Sequence, residues 1–318
     1  MINNMKISII IPFYNEAESI RELFEKIQIE TLKLSEYDFD FLFVDDGSTD
    51  NSINIVKEIM DSHTNNITIV SLPLNRGKTQ ALKMAFAKAN GDYIITMDAD
   101  LQDNPIYIKD FINEITSKKL DLVVGYRKNR YKNNIIKLLS SNLANFIVRV
   151  FFKYSIHDMN CGYKIFSKKI IKNIYLESDY HRFIPIIATA TNFNVGEMII
   201  EQKDRMYGKS KYGKTGIGRS FKFFFDLLSL IFALKFERKP LYFFGKIGFF
   251  LSFSGFLILL YLTVLWFAGR SIQSRPLFFM GILNLIVGIN FFGFGLLGEL
   301  INKKSNKNNK SEMNEIIK

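Results

Sequence analysis

Two stretches without a single charge, Ile247 to Ala268 and Leu277 to Gly298, constrain this chain more than any other feature. Each is 22 residues long. As a helix, each would span roughly 33 Å, enough for the hydrocarbon core of a bilayer. The alternative is a pair of buried core helices, which would normally carry a polar face that neither stretch has. Gly248, Gly255, Gly281, Gly288, Gly293 and Gly295 suit the close helix contacts tolerated in membranes. The short link Gly269 to Pro276 makes the two spans a hairpin whose ends share one side. Lys235, Arg238, Lys239 and Lys246 precede it and Lys303, Lys304, Lys307 and Lys310 follow it, against only Arg270 and Arg275 in the turn. That asymmetry predicts a two-span protein of the cytoplasmic membrane with both termini in the cytoplasm. The N-terminus offers no signal peptide, since Ile7 to Phe13 is too short and reads as a strand.

The first 215 residues follow a different pattern. Lys6–Ile11, Asp40–Val44, Ile67–Leu72, Tyr93–Met97 and Leu122–Val124 are apolar and β-branched and read as strands. Glu16–Leu34, Asn51–Ser62 and Lys78–Asn90 alternate with them and read as helices. Strand–helix alternation predicts an α/β fold with a mostly parallel sheet and right-handed crossovers. The chain therefore divides into an α/β domain (1–215), interfacial amphipathic helices (216–240), a two-helix transmembrane hairpin (241–301) and a disordered basic tail (302–318). Phe221 to Phe236, rich in Phe and Leu with Lys222, Asp226 and Lys235 interspersed, fits the membrane interface or a helix packed on the soluble domain. A mean hydropathy of +0.06 is then an average over unlike parts. An apolar content of 48% excludes intrinsic disorder as the general state, and a lone cysteine, Cys161, excludes a disulfide scaffold. The net charge of +11 leaves nucleic acid, an anionic membrane or a phosphorylated substrate as partners.

Ligands of such sheets bind at the carboxyl ends of the strands. There the chain reads Pro12-Phe-Tyr-Asn-Glu16, Val44-Asp-Asp-Gly-Ser-Thr-Asp50 and Met97-Asp-Ala-Asp-Leu-Gln-Asp103. Carboxylates crowded on one edge need a cation or hydrogen-bond donors. Asp98 and Asp100 can aim at one point and Gln102 adds a neutral oxygen, a partial set of hard donors that suits Mg²⁺ or Mn²⁺ with phosphates completing the shell. Asp-Gly-Ser-Thr-Asp alone is an ordinary turn, with Ser48 or Thr49 expected to cap the next helix. An EF-hand is excluded by Asp103 at the required glycine position, and a P-loop by Leu72. His63, His157 and His181 are too scattered for zinc.

Together these motifs resemble family 2 glycosyltransferases of the GT-A fold, and among them the polyprenyl-phosphate glycosyltransferases. The resemblance begins with Ser8-Ile-Ile-Ile-Pro-Phe-Tyr-Asn-Glu16 and the two acidic motifs, and includes Asn75-Arg-Gly-Lys78 and Gly125-Tyr-Arg127. It continues through Asn160-Cys-Gly-Tyr-Lys164, His181-Arg-Phe-Ile-Pro185, Arg205-Met-Tyr-Gly-Lys-Ser-Lys-Tyr-Gly213 and the hairpin. It implies a GT-A Rossmann-like sheet with flanking helices, C-terminal interfacial helices and two transmembrane helices.

The implied activity is inverting, metal-dependent transfer of one sugar from a nucleotide sugar to a polyprenyl phosphate. By the resemblance, Pro12, Tyr14, Glu16, Val44 and Asp46 hold the nucleotide, Asp98 and Ala99 flank its ribose and diphosphate, and Asp98, Asp100 and Gln102 ligate Mg²⁺ or Mn²⁺. Arg127, Lys203, Arg205, Lys209 and Lys211 would reach phosphates. Asp103 is left with two roles open, orienting the acceptor or accepting a proton. A phosphate monoester whose second pKa is about 6 is already nucleophilic at neutral pH, so no strong base is required. Residues 127 to 153 hold seven Lys/Arg and no acid. They read as a solvated helix face or as part of the lipid-phosphate site, with Arg130 and Lys137 the best placed. Nucleic acid is discarded, because the basic residues lack interleaved aromatics. A processive polysaccharide synthase is the enzyme alternative, disfavoured by the lack of a Gln-x-x-Arg-Trp motif: Trp266 is the sole tryptophan. A non-catalytic membrane-anchored accessory protein is the other. Small-residue faces on the spans permit a homo-oligomer.

Overall fold

The computed structural model describes residues 4–63, 66–128, 135–152, 156–174, 176, 179–202, 216–237, 239–271 and 276–316. The chain forms two units, Met1–Leu227 and Leu228–Lys318. The expected boundary at 215/216 coincides with the start of a helix, and the division between units falls inside that helix.

The first unit is built on a seven-stranded sheet. Its strands are β1 (Met5–Phe13), β2 (Tyr37–Asp45), β3 (Asn66–Ser71), β4 (Tyr93–Thr96), β5 (Leu122–Tyr126), β6 (Lys164–Ser167) and β7 (Val195–Ile199), in the order β3-β2-β1-β4-β6-β5-β7. Every neighbouring pair is parallel except those made by β6, which runs antiparallel between β4 and β5. The helices are α1 (Ile20–Leu32), α2 (Ser52–Ser62), α3 (Lys78–Lys88), α4 (Ile108–Ser117), α5 (Ile135–Phe152), α6 (Lys168–Asn173) and α7 (Ile184–Ala190), with α8 (Gly216–Lys235) leading out of the unit.

Side-chain parity along the strands explains how both faces are covered. Ile10, Leu42, Val44, Val70 and Ile94 point to one face and pack with Ala81, Leu82 and Ala85 of α3. Residues of the other parity, Phe41 and Phe43, meet Phe24 of α1 with ring centroids at 5.3 and 5.8 Å. A sheet buried on both faces reads in sequence as a continuous apolar run, as Ile7–Phe13 does. The five expected strands are all present. The two that sequence patterning missed, β6 and β7, are short, and β7 is only half-buried.

The second unit is dominated by α9 (Pro240–Phe267) and α10 (Pro276–Ile316). Residues Pro240–Phe267 and Pro276–Lys304 are long and apolar enough to cross a membrane, and only 17% and 11% of their apolar windows are buried. Core helices would be covered; Phe250, Phe267 and Phe279 are 70%, 78% and 68% exposed. Helix α10 continues through 302–316, where a disordered tail was expected, because extending an existing helix avoids the cost of nucleating one.

Glycines set the contact between α9 and α10. A Cβ on Gly255 would lie 2.7 Å from the Gly281 carbonyl oxygen and 2.8 Å from the Leu285 nitrogen. Asn284 Nδ2 donates to Ser254 Oγ beside it, at 3.2 Å. Gly255→Leu is therefore expected to wedge the helices apart at a cost of about 1–3 kcal/mol. Thermal unfolding of the detergent-solubilised protein checks this, and Gly293→Leu, where a Cβ meets nothing within 4 Å, is the control expected to be neutral.

Candidate active site

The carboxyl ends of β1, β2 and β4 bring the acidic motifs together, and each carboxylate has a defined use. Asn15, in the left-handed region at φ 55°, turns the chain out of β1. Its Oδ1 accepts from the Thr49 N–H at 2.7 Å, and its own N–H donates to Ser48 Oγ at 2.9 Å. The Glu16 N–H donates to Ser52 Oγ at 2.8 Å, so the two loops are stitched. Ser48 and Thr49 are thus tied to the β1 loop and do not cap α2, whose N-cap residue, Asn51, makes no side-chain bond to the backbone of the helix. Asp45 accepts from the Ser48 N–H and from Ser71 Oγ, both at 2.8 Å. Asp46 Oδ1 accepts from the N–H groups of Arg76 and Gly77 at 2.9 and 3.1 Å, which anchors the Asn75-Arg-Gly-Lys78 loop; burial raises its pKa. Gly47, at φ 73°, has no room for a side chain, because a Cβ would lie 2.5 Å from the Leu74 carbonyl carbon. Pro12 and Val44 are register partners on β1 and β2 and are buried beneath this rim, whereas Tyr14 and Glu16 are half-buried.

The loop after β4 carries the second cluster. Leu101, at φ 60°, makes the turn that separates Asp98, Ala99 and Asp100 from Gln102 and Asp103. The Gln102 N–H donates to Asp100 Oδ1 at 3.2 Å. Asp103 is 2% exposed and folds back so that its Oδ2 accepts from the Asp98 N–H at 3.2 Å. Burial, then repulsion from Asp98, pushes Asp103 up to about 7. Asp98, expected to join Asp100 and Gln102 as a metal ligand, is ion-paired with Lys78 from the start of α3. Burial works against its charge, but Lys78, with Lys164 and Arg127 behind it, holds its pKa below the ordinary carboxylate range. A Cβ on Gly162 would meet the Asp98 carboxylate at 2.5 Å, so that glycine makes space for it.

Arg127, expected to reach a phosphate, is held by Asp158. It is 8% exposed, and its Nε and Nη2 donate to the two Asp158 oxygens at 2.6 and 3.0 Å. Nη2 also donates to the Asn160 carbonyl at 2.9 Å and Nη1 to Gln202 Oε1 at 3.4 Å. A buried guanidinium calls for a bidentate acceptor, and Asp158 supplies it. Asp158 was not singled out in sequence, although it stands two residues before a recognised motif. Lys78, Lys164 and His181 belong to recognised motifs without having been assigned a role. Lys164 is 5% exposed and donates to the Cys161 carbonyl; burial pulls its ammonium down to about 8. Arg130, Lys203, Arg205, Lys209 and Lys211 lie outside the described residues, as does the side chain of Lys137 on α5.

His181 Nδ1 is 2.8 Å from Thr79 Oγ1. Burial, aided by Lys78 and Arg182, pulls its pKa from 6.5 to about 3, so it is neutral in the folded protein. The unfolded chain binds that proton more readily, so His181 makes stability fall as pH drops from 6.5 towards 3. His181→Gln is expected to narrow the difference in unfolding midpoint between about pH 5 and about pH 7.5.

Among the described residues no three His, Cys, Asp or Glu side chains converge as a ready-made metal site. Asp100 and Gln102 on one turn supply two hard oxygens, which fits a divalent cation that keeps waters and shares its shell with phosphates.

The sheet is mostly parallel with one antiparallel insertion, and acidic loops lie at its carboxyl edge. A profile of Glycosyl transferase family 2 matches residues 8–175, and the chain belongs to that family. It is 33% identical to a dodecaprenyl-phosphate galacturonate synthase of Rhizobium johnstonii, over 94% of this chain and 88% of the relative. It is 30% identical to an undecaprenyl-phosphate 4-deoxy-4-formamido-L-arabinose transferase of Proteus mirabilis, over 94% and 89%. In fold it is similar to glucosyl-3-phosphoglycerate synthase of Mycobacterium tuberculosis, in complex with Mn²⁺, uridine diphosphate and phosphoglyceric acid. The TM-score is 0.55 at 15% identity, covering 72% of this chain and 78% of that one.

Proposed function

We propose that this glycosyltransferase moves one sugar from a nucleotide sugar to a polyprenyl phosphate, with inversion, at a membrane crossed by α9 and α10. The observation that carries the reading is the likeness to two polyprenyl-phosphate sugar transferases over 94% of the chain, a span that takes in the apolar helices as well as the sheet. The proposed domains keep their expected order: a cytoplasmic catalytic domain, an interfacial segment containing α8, and the hairpin, with both termini cytoplasmic.

In this reading the stitched loops of β1 and β2, with Pro12, Tyr14, Glu16, Val44 and Asp46, receive the nucleotide. Asp98 and Ala99 lie along its ribose and diphosphate. Asp100 and Gln102 would hold Mg²⁺ or Mn²⁺, which stabilises the charge building on the leaving diphosphate. Lys78 adds a fixed positive charge at the same place, already aligned by Asp98, so little reorganisation is needed as the anomeric bond breaks. Arg127 acts as a positioning residue that braces 158–160 against β5. Asp103, folded under the loop, accepts from the Asp98 N–H and keeps its two expected roles, orienting the acceptor or accepting a proton. The basic residues Arg130, Lys137, Lys203, Arg205, Lys209 and Lys211 remain assigned to phosphates of donor and acceptor. The acceptor phosphate attacks the face of the sugar opposite the leaving group, and the configuration inverts.

The test is purified full-length protein in nanodiscs with undecaprenyl phosphate, Mg²⁺ or Mn²⁺ and a panel of radiolabelled nucleotide sugars. Label from at least one donor is expected in the organic phase, as one sugar per lipid. If no donor delivers label to the lipid, or if the label enters a growing polymer, the reading fails.

A further inference from the structure

Helix α3 begins on a residue that cannot cap it. Its N-cap is Gly77, at φ 88°, which has no side chain to offer the first turn. Lys78, the cation paired with Asp98, opens that turn, so its direction depends on what holds α3 from outside. Asp46 grips the preceding loop through the N–H groups of Arg76 and Gly77. A second grip acts on Thr79, which is 3% exposed and whose Oγ1 meets His181 Nδ1 at 2.8 Å, 102 residues along the chain. A threonine in a helix ordinarily satisfies its hydroxyl on nearby backbone. This one joins two elements that no sheet register aligns.

His181 is fastened from its other side as well. It lies in a single 3₁₀ turn, Tyr180–Arg182, that runs through Phe183 into α7. Asp179, just before the turn, is ion-paired with Lys222 of α8 at 2.6 Å. Phe183, just after it, is fully buried, with its ring 5.2 Å from that of Phe223 on α8. Residues 179–183 therefore stand between the first half of α8 and the first turn of α3.

We infer that His181 is a positioning residue: through Thr79 it fixes the first turn of α3, so that Lys78 bears on the departing diphosphate, while α8 keeps His181 in place. The inference rests on the role given to Lys78 in the reading above. A lysine has a long flexible stem, so an ammonium that acts without reorganising needs a rigid base. Lys78 is needed most as charge builds on the leaving group, so a looser turn costs rate and not donor binding.

The test compares His181→Ala, His181→Asn and Lys78→Met in the full-length protein in nanodiscs. Asparagine keeps a polar atom close to the place of Nδ1, and alanine does not. His181→Ala is expected to lower kcat about 10- to 100-fold with the donor KM little changed. His181→Asn should recover most of that loss. In the Lys78→Met background His181→Ala should cost nothing further, since both act through one ammonium. A second readout needs no turnover: a pulse of amine-reactive reagent followed by mass spectrometry. Lys78, 24% exposed and ion-paired, should label faster in His181→Ala than in the wild type, with Lys83 of the same helix unchanged. Faster labelling at both lysines would mean that α3 loosens as a whole, and overturns the inference. So do additive losses in the double variant, and so do wild-type kcat and labelling in His181→Ala. Wild-type protein that transfers no sugar from any donor fails the reading above as well, whereas wild-type transfer with any of these three results overturns this inference alone.

Discussion

Asp158→Ala is expected to destabilise the first unit by about 3–5 kcal/mol, because among the described residues it strands the Arg127 guanidinium without another carboxylate in bidentate contact. The two side chains are 6% and 11% exposed, so solvent does little to screen the loss. Asp158 also accepts from the Asn160 N–H at 3.2 Å, and that turn loosens with it. Asp158→Asn should cost less, since it keeps a neutral acceptor. The double variant Arg127→Met/Asp158→Leu should recover most of the loss but not all of it, because the Asn160 carbonyl still loses a donor. Cys161 reports on this unit directly: burial pushes its thiol up to about 12, and a thiol-reactive dye reaches it on unfolding. Melting followed by that dye and by circular dichroism separates local opening from global loss. An Asp158→Ala protein that melts with the wild type would show that the pair contributes nothing net.

Asp100→Ala is expected to act in the opposite way, leaving the fold intact and removing turnover. Its carboxylate is half-exposed on a turn and accepts from the Gln102 N–H within that turn, so the dye-monitored melt should stay at the wild-type temperature. Loss of a ligand to a cation that stabilises the leaving diphosphate removes several kcal/mol of transition-state stabilisation, about 10³-fold in rate. Asp100→Asn should retain more activity and be partly rescued by raised Mn²⁺. Undiminished transfer by Asp100→Ala would take Asp100 out of the metal role. The pair of variants thus separates a residue that holds the site up from one that works in it.

Much of this was legible in the sequence, for identifiable reasons. The strands β1 to β5 announce themselves because a sheet covered on both faces demands unbroken apolar runs, and the hairpin because a bilayer demands uncharged ones. β6 escaped notice because four residues beginning with a lysine carry no such run, and β7 because it is half-buried. The acidic residues of the site were visible as types, but not their partners. Whether Asp98 faces a cation or Lys78 depends on 20 residues of intervening fold. The partner of Arg127 was hidden for the same reason. Exposed arginines and buried arginines look alike in sequence until the carboxylate that captures them, here 31 residues on, is known. Asn15 displaced the expected cap of α2 through a contact 34 residues long.

The antiparallel insertion of β6 bears on the order in which the nascent chain matures. β5 has no partner of its own within residues already synthesised, since its neighbours are β6 and β7. The β3-β2-β1-β4 half can assemble once Thr96 has emerged, whereas the other half waits for Ile199. Among the described residues, the first helix long and apolar enough to cross a membrane starts only at Pro240. At translation rates of about 5–20 residues per second, the intervening segment gives the sheet roughly 2–8 s to close before that helix begins to be made. Late placement of the two long apolar helices therefore lets the sheet finish before they follow.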